Sequence, residues 1–292
     1  MTAPDGLLVV DKPSGWTSHD VVGRVRRLAE TRKVGHAGTL DPMATGVLVL
    51  GIGRATRLLG HLSLTDKSYD ATIRLGVTTV TDDAEGDVLE QRDASHVGDV
   101  SAAMSALTGD IQQVPSAVSA VKVDGVRSYA RVRAGEDVQL AARRVTVSRF
   151  ELVERRGDDL VVQVDCTSGT YVRALARDLG DALGVGAHLT ALRRTRVGPF
   201  SLDKARTLEQ LADDLAVVPL DVAVAASFPR RALTEEEAVA LSHGKKLPPT
   251  GEPGAYGAFA PDGRCIALVE DRDDVARPTV VFAPAGQAGL AG

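Results

Sequence analysis

The chain has 292 residues and a formal net charge of −5 at pH 7, with 44% hydrophobic and 25% charged residues. That is an ordinary globular composition, long enough for one large core and a smaller unit, and it excludes a uniformly basic nucleic-acid binder. Charges interrupt every apolar run before it reaches the length of a membrane helix, and the start MTAPDGLLVVDKP has neither the basic region nor the apolar core of an export signal.

In chain order, residues 6–10 read as a short buried strand running into Asp11-Lys12-Pro13. Ser18 is placed to cap a helix that continues to about Glu30, with Val21, Val25, Leu28 and Ala29 at helical spacing. Residues 47–52 read as a second apolar strand and 54–61 as a short helix. Residues 67–75 alternate, with Tyr69, Ala71, Ile73 and Leu75 on one side and Asp70, Thr72 and Arg74 on the other. A helix is expected over 101–107, then a strand over 118–123 closed by an Asp124-Gly125 turn. Residues 145–152 and 160–166 read as a strand pair, 171–183 as helix and 188–197 as strand. The order lacks a regular βα alternation. It predicts an α+β fold, a mixed and mostly antiparallel sheet with flanking helices.

A boundary near Phe228-Pro229 divides the chain into 1–226 and 227–292. In the second part Thr234 and Glu237 match a capping box, Gly244 is placed to end that helix, and short strands around 256–260, 265–270 and 279–282 suggest a small β-barrel. Cys166 and Cys265 are far apart, and neither CxxC nor HExxH occurs, so both cysteines are expected to be small core residues in a reducing, cytoplasmic compartment, with no metal.

Three segments are locally basic in a chain that is acidic overall. They hold Arg24, Arg26, Arg27, Arg32 and Lys33; Lys122, Arg127, Arg131, Arg133, Arg143 and Arg144; and Arg193, Arg194 and Arg196. The acidic residues gather elsewhere, as in Asp82-Asp83-Ala84-Glu85, which predicts a divided surface.

Two stretches carry the chemistry. In Gly35-His36-Ala37-Gly38-Thr39-Leu40-Asp41-Pro42-Met43-Ala44-Thr45-Gly46, the glycines permit unusual backbone angles, Pro42 biases Asp41 away from helix, and an apolar strand follows at once to anchor the loop. Such a loop holds a side chain at a cleft, where function concentrates. In Gly169-Thr170-Tyr171-Val172-Arg173, a glycine turn leads into a helix with Arg173 in its first turn. The helix dipole disfavours a cation there, which points to a carboxylate or phosphate partner. Aromatic residues make up 3% of the chain, so Tyr69, Tyr129 and Tyr171 are the leading candidates for stacking on a base.

Taken in this order, these stretches resemble the bacterial TruB family of tRNA pseudouridine synthases. The loop around Asp41 looks like that family's catalytic motif, and Lys67-Ser68-Tyr69 like its tyrosine motif. Ser119-Ala120-Val121-Lys122, Gly169-Thr170-Tyr171-Val172-Arg173 and the run from His188 to Arg194 look like the later motifs, and the last part is similar to a PUA barrel. Ser116 stands where that pattern usually has a second proline, and Val80 where an aspartate is frequent.

The resemblance implies base flipping and isomerisation of uridine 55 in the T-loop of tRNA, by a monomer without cofactor or guide RNA. It gives Asp41 the work at the sugar, as a nucleophile or as the base that forms a glycal, with Arg173 as its partner. It makes Tyr69 a catalytic residue that stacks on the flipped uracil and can accept a proton, and it puts His36 in the space the base leaves and Tyr171 and Leu192 on the pocket wall. Two other readings use the same residues: a nucleoside or glycoside hydrolase with Asp41 as nucleophile, and an RNA-binding protein without turnover.

Overall fold

The computed structural model describes residues 3–116 and 140–284, and within the remaining stretch only the backbone of 122–123 and 126–127. Tyr129 and most of the motif around Ser119 lie outside the described residues, as do the Asp124-Gly125 turn, Arg131 and Arg133.

The strands in chain order are β1 (Gly6–Lys12), β2 (Val34–His36), β3 (Thr45–Ile52), β4 (Lys67–Leu75), β5 (Val77–Thr79), β6 (Val88–Gln91), β7 (Gly109–Gln113), β8 (Lys122–Val123), β9 (Val126–Arg127), β10 (Arg143–Arg156), β11 (Asp159–Cys166), β12 (Ala187–Val197), β13 (Phe200–Ser201), β14 (Val218–Pro219), β15 (Arg230–Ala232), β16 (Ala255–Phe259), β17 (Cys265–Arg272) and β18 (Val275–Val281). The helices are α1 (Ser18–Leu28), α2 (Leu59–Ser63), α3 (Ser101–Ala106), α4 (Val172–Ala182), α5 (Leu208–Asp213), α6 (Leu220–Ser227) and α7 (Glu235–Ser242), and a 3₁₀ turn over Gly53–Leu58 precedes α2.

Among the described residues, ten strands form the main sheet in the order β14-β1-β3-β12-β4-β11-β10-β7, with β13 on β12 and β2 on β3. Every pairing is antiparallel except β3 with β12. This is the mixed, mostly antiparallel α+β core expected from the hairpins. Period-two alternation explains why β1 sits in the interior. Leu8 and Val10 pack on one face with Val21, Val22 and Val25 of α1 and Leu175 and Leu179 of α4. Leu7 and Val9 pack on the other with Ala55, Leu58 and Leu62.

Two expectations need correction. Thr17, not Ser18, caps α1, in a reciprocal pair with Asp20. Ser18 turns inward and is buried. The C-terminal strands make an open four-stranded sheet, β15-β16-β17-β18, rather than a closed barrel. The physical reason is that both faces are already covered. Tyr256, Ala258, Ala267 and Val269 pack with Leu241 of α7, while Phe259, Cys265, Leu268 and Phe282 join Leu7, Val47 and Val49 in the cluster behind the main sheet. Closure would gain no further burial for these side chains. Arg54 and Arg57 donate to the carbonyls of Phe282 and Val281 at 3.0 and 2.7 Å, and Arg54 also pairs with Asp5. Both cysteines are free and buried, as expected. No helix is long and apolar enough to cross a membrane among the described residues.

Candidate active site

The Asp41 loop is fastened from several elements. Ser18 of α1 grips the residue before the aspartate at both backbone groups: its hydroxyl donates to the Leu40 carbonyl at 3.1 Å and accepts from the Leu40 N–H at 2.9 Å. The residue after it is held by β1. Buried Lys12 donates to the Pro42 carbonyl at 3.1 Å and to the carbonyls of Pro13 and Trp16, and Gly15 N–H reaches the same Pro42 carbonyl at 2.8 Å. Burial lowers Lys12 to about 8, against the pull of Asp41 and Glu85. Neither Lys12 nor Ser18 stood out in the sequence, where one followed a strand and the other looked like a cap.

Gly46 shows why this loop must end on glycine. Its φ is +97°, and an added Cβ would lie 2.2 Å from the Arg194 carbonyl oxygen, because β12 runs beside β3 at that residue. Gly46→Ala is therefore expected to cost at least roughly 2 kcal/mol through strain and displacement of β12. Denaturant unfolding measures it, and an unchanged midpoint would contradict the packing described.

Arg173 stands at the second position of α4, where its charge opposes the helix dipole. It is offset by two carboxylates. Arg173 Nε lies 3.0 Å from Asp41 Oδ2, Nη2 lies 3.3 Å from Asp41 Oδ1, and Nη1 reaches Asp83 Oδ2 at 3.3 Å and the Thr81 carbonyl at 2.9 Å. The two-point grip on Asp41 fixes both position and plane of its carboxyl group. The Arg173 side chain is 7% exposed and that of Asp83 4%, whereas that of Asp41 is 34% exposed at the cleft floor. Burial pushes Asp41 above the ordinary carboxylate range; Arg173 pulls it back, Asp83 raises it again and Lys12 lowers it.

Asp82 and Asp83 correct the sequence reading of an acidic surface cluster. Asp82 lies 3.3 Å from Arg177, and Asp83 is buried against Arg173. Nothing in the sequence distinguished them from a solvated acidic run, because their partners come from α4.

The cleft has a volume of about 260 Å³, and Asp41, Tyr69, Tyr171, Arg173, Leu192 and Arg194 are among its lining residues. It is smaller than most drug-sized sites, a size that suits a single base and sugar better than a long ligand. Tyr69, on β4, is 7% exposed, and burial raises its phenol pKa. Tyr171 is set by Gln113, whose amide accepts from the Tyr171 N–H at 2.8 Å and donates to its carbonyl at 3.1 Å. His36 is not among the lining residues. It packs edge-on against His19 at 5.7 Å, and burial, followed by His19, lowers its pKa.

Of the basic segments, Arg26, Arg27, Arg32 and Lys33 are exposed, whereas the third is not a free cationic face. Arg193 pairs with Asp11 at 2.7 Å, and Arg194 is buried. In the second, Arg144 pairs with Asp110 at 2.6 Å.

Solved structures share this fold along nearly the whole chain. A Cbf5-Nop10-Gar1 complex aligns with a TM-score of 0.75 and 28% identity over 96% of this chain and 85% of the other. An H/ACA RNP bound to a substrate RNA containing 2'-deoxyuridine aligns with a TM-score of 0.73 and 26% identity, again over 96% and 85%. The fold is that of the pseudouridine synthases, with a paired aspartate and arginine at the floor of its cleft. Residues 26–172 match the model of the TruB family pseudouridylate synthase (N terminal domain), 173–225 that of the tRNA pseudouridylate synthase B C-terminal domain, and 228–283 that of tRNA Pseudouridine synthase II, C terminal. Similar curated proteins, each named tRNA pseudouridine synthase B, come from Nocardia farcinica (strain IFM 10152), 62% identical over 96% of this chain and 94% of that one, and from Thermobifida fusca (strain YX), 60% identical over 96% and 99%. The chain belongs to the TruB family of pseudouridylate synthases and is a pseudouridine-forming isomerase.

Proposed function

We propose that this enzyme converts uridine 55 in the T-loop of tRNA to pseudouridine, with Asp41 acting at the sugar of a flipped-out nucleotide. The observation that carries the reading is the two-point Asp41–Arg173 pair at the floor of a cleft shared with Tyr69. The tRNA substrate is supported by the names of the relatives. The residues supply the parts the reaction needs. The bond from ribose to uracil N1 breaks, the base turns, a bond forms at C5, and C5 then gives up its proton while N1 gains one. Atoms and oxidation state are conserved, and the reading assigns no cofactor and no metal. Two routes are open to one carboxylate: attack on the anomeric carbon or removal of the C2′ proton. Deuterium at C2′ separates them, since only proton removal gives a primary isotope effect.

A base inside folded RNA is extruded at a cost of a few kcal/mol. Tyr69 stacks on the uracil, which returns about 1–3 kcal/mol, while Tyr171 and Leu192 wall the pocket and His36 fills the space left in the loop. Exposed Arg26, Arg27, Arg32 and Lys33 offer phosphate contacts. Residues 1–226 act as the catalytic domain and 227–292 as an RNA-contacting unit of PUA kind with an open sheet. Recognition is by protein alone, as a cytoplasmic monomer.

The experiment is incubation with uridine-labelled tRNA transcript, nuclease digestion, and mapping of pseudouridine. Product at position 55 supports the reading. Released uracil indicates a hydrolase, and intact uridine an RNA-binding protein. Tyr69→Ala is expected to lower the single-turnover rate far more than tRNA affinity; equal loss of both contradicts the stacking role.

A further inference from the structure

Arg194 is a buried cation beneath the cleft, 1% exposed. The hydrogen bonds that hold it run to neutral oxygens. Nε donates to the Val47 carbonyl at 2.7 Å, Nη1 to Thr39 at 3.4 Å and Nη2 to Gly38 at 3.1 Å. Arg194 and Tyr69 are direct cross-strand partners in β12 and β4, and both line the cleft. A buried guanidinium that leans on carbonyls, with no carboxylate partner among the described residues, is a weak device for stability alone. Its fork joins the head of β3 to the turn leading to Asp41, and its strand pairs directly with the one that carries Tyr69.

We propose that Arg194 is a positioning residue of this site, a single guanidinium that fixes the Tyr69 phenol against Gly38 and Thr39 so that the aromatic ring and the Asp41 carboxylate meet one nucleotide in one geometry. Several donors in a rigid plane are needed for this, which a lysine cannot supply from one nitrogen. Gly46 has the same cause: the β12 backbone at Arg194 passes where its side chain would be. In the sequence Arg194 looked like one of three surface arginines, and only the strand register separates it from them.

The proposal rests on Tyr69 contacting the target base, so its test reads Tyr69 without substrate as well as with it. The chain has four tyrosines. Enzyme made with 3-fluorotyrosine gives one fluorine resonance for each, and Tyr69→Phe identifies its own. In Arg194→Met the Tyr69 resonance is expected to titrate at higher pH, because a cation that favours the phenolate has gone, while the other resonances stay where they were. The single-turnover rate on tRNA is expected to fall roughly 100-fold, as for an ångström of misplacement, with tRNA affinity within about threefold of wild type. Arg194→Gln, neutral and shorter, is the second variant should methionine fail to fold. A Tyr69 titration unmoved in a folded variant, or a rate within about threefold of wild type, overturns the proposal. The expected titration shift in an enzyme that leaves tRNA unmodified refutes the base contact instead and leaves the positioning of Tyr69 standing.

Discussion

Asp41→Asn is expected to lower the single-turnover rate of pseudouridine formation by about 10⁴-fold or more while tRNA affinity stays within roughly threefold of wild type. The amide nearly matches the carboxylate in shape, so the loop held by Ser18 and Lys12 has no reason to move. What is lost is the negative charge and the nucleophilic or basic oxygen at the sugar. The variant also relieves the crowding of Asp41 and Asp83 around one arginine, so it is expected to fold at least as well as wild type. Filter binding and rapid-quench assays on the same preparation separate the two effects. Loss of binding in parallel with rate would make Asp41 a recognition residue rather than the group that acts on the sugar.

Arg173→Met is the second large effect, and it has two parts. Asp83 is left buried without its cation, and breaking a buried pair of this kind costs about 3–5 kcal/mol. Independently, Asp41 loses the charge that opposes its burial. Its pKa, already raised, rises further, so a smaller fraction is ionised at neutral pH. The expected results are a lower unfolding midpoint, a rate reduced roughly 10³-fold or more near pH 7, and partial recovery as the pH is raised. Arg173→Lys restores a charge without the two-point grip and is expected to regain stability before rate. Near-normal turnover in Arg173→Met would remove the ion pair from the mechanism.

Much of the site was legible along the chain because its signals are local. The Gly-His-Ala-Gly-Thr-Leu-Asp-Pro run, the strand after it, and an arginine in a first helical turn each state their chemistry within a dozen residues. The alternation over β4 gave its bounds and placed Tyr69 on the buried face. The parts that escaped depend on pairings between distant segments. Ser18 has a capping residue's chemistry, but Thr17 takes that role and frees its hydroxyl for Leu40. Asp83 reads as part of a solvated acidic run until α4 brings Arg173 to it. Arg194 differs from Arg193 and Arg196 only in the face of β12 it occupies, beside a bulge that shifts the simple alternation. The C-terminal strands looked like a barrel because each is apolar enough to be buried on both faces. The main sheet provides the second cover, and no local pattern shows that.

The dependence of the wild-type single-turnover rate on pH tests the central claim, that an ionised Asp41 does the work. The rate is predicted to rise with pH along one ionisation whose midpoint lies above the ordinary aspartate value of about 3.9, and then to level off as the carboxylate becomes fully charged. A rate that is flat across that limb, or that falls as pH rises through it, would contradict the account.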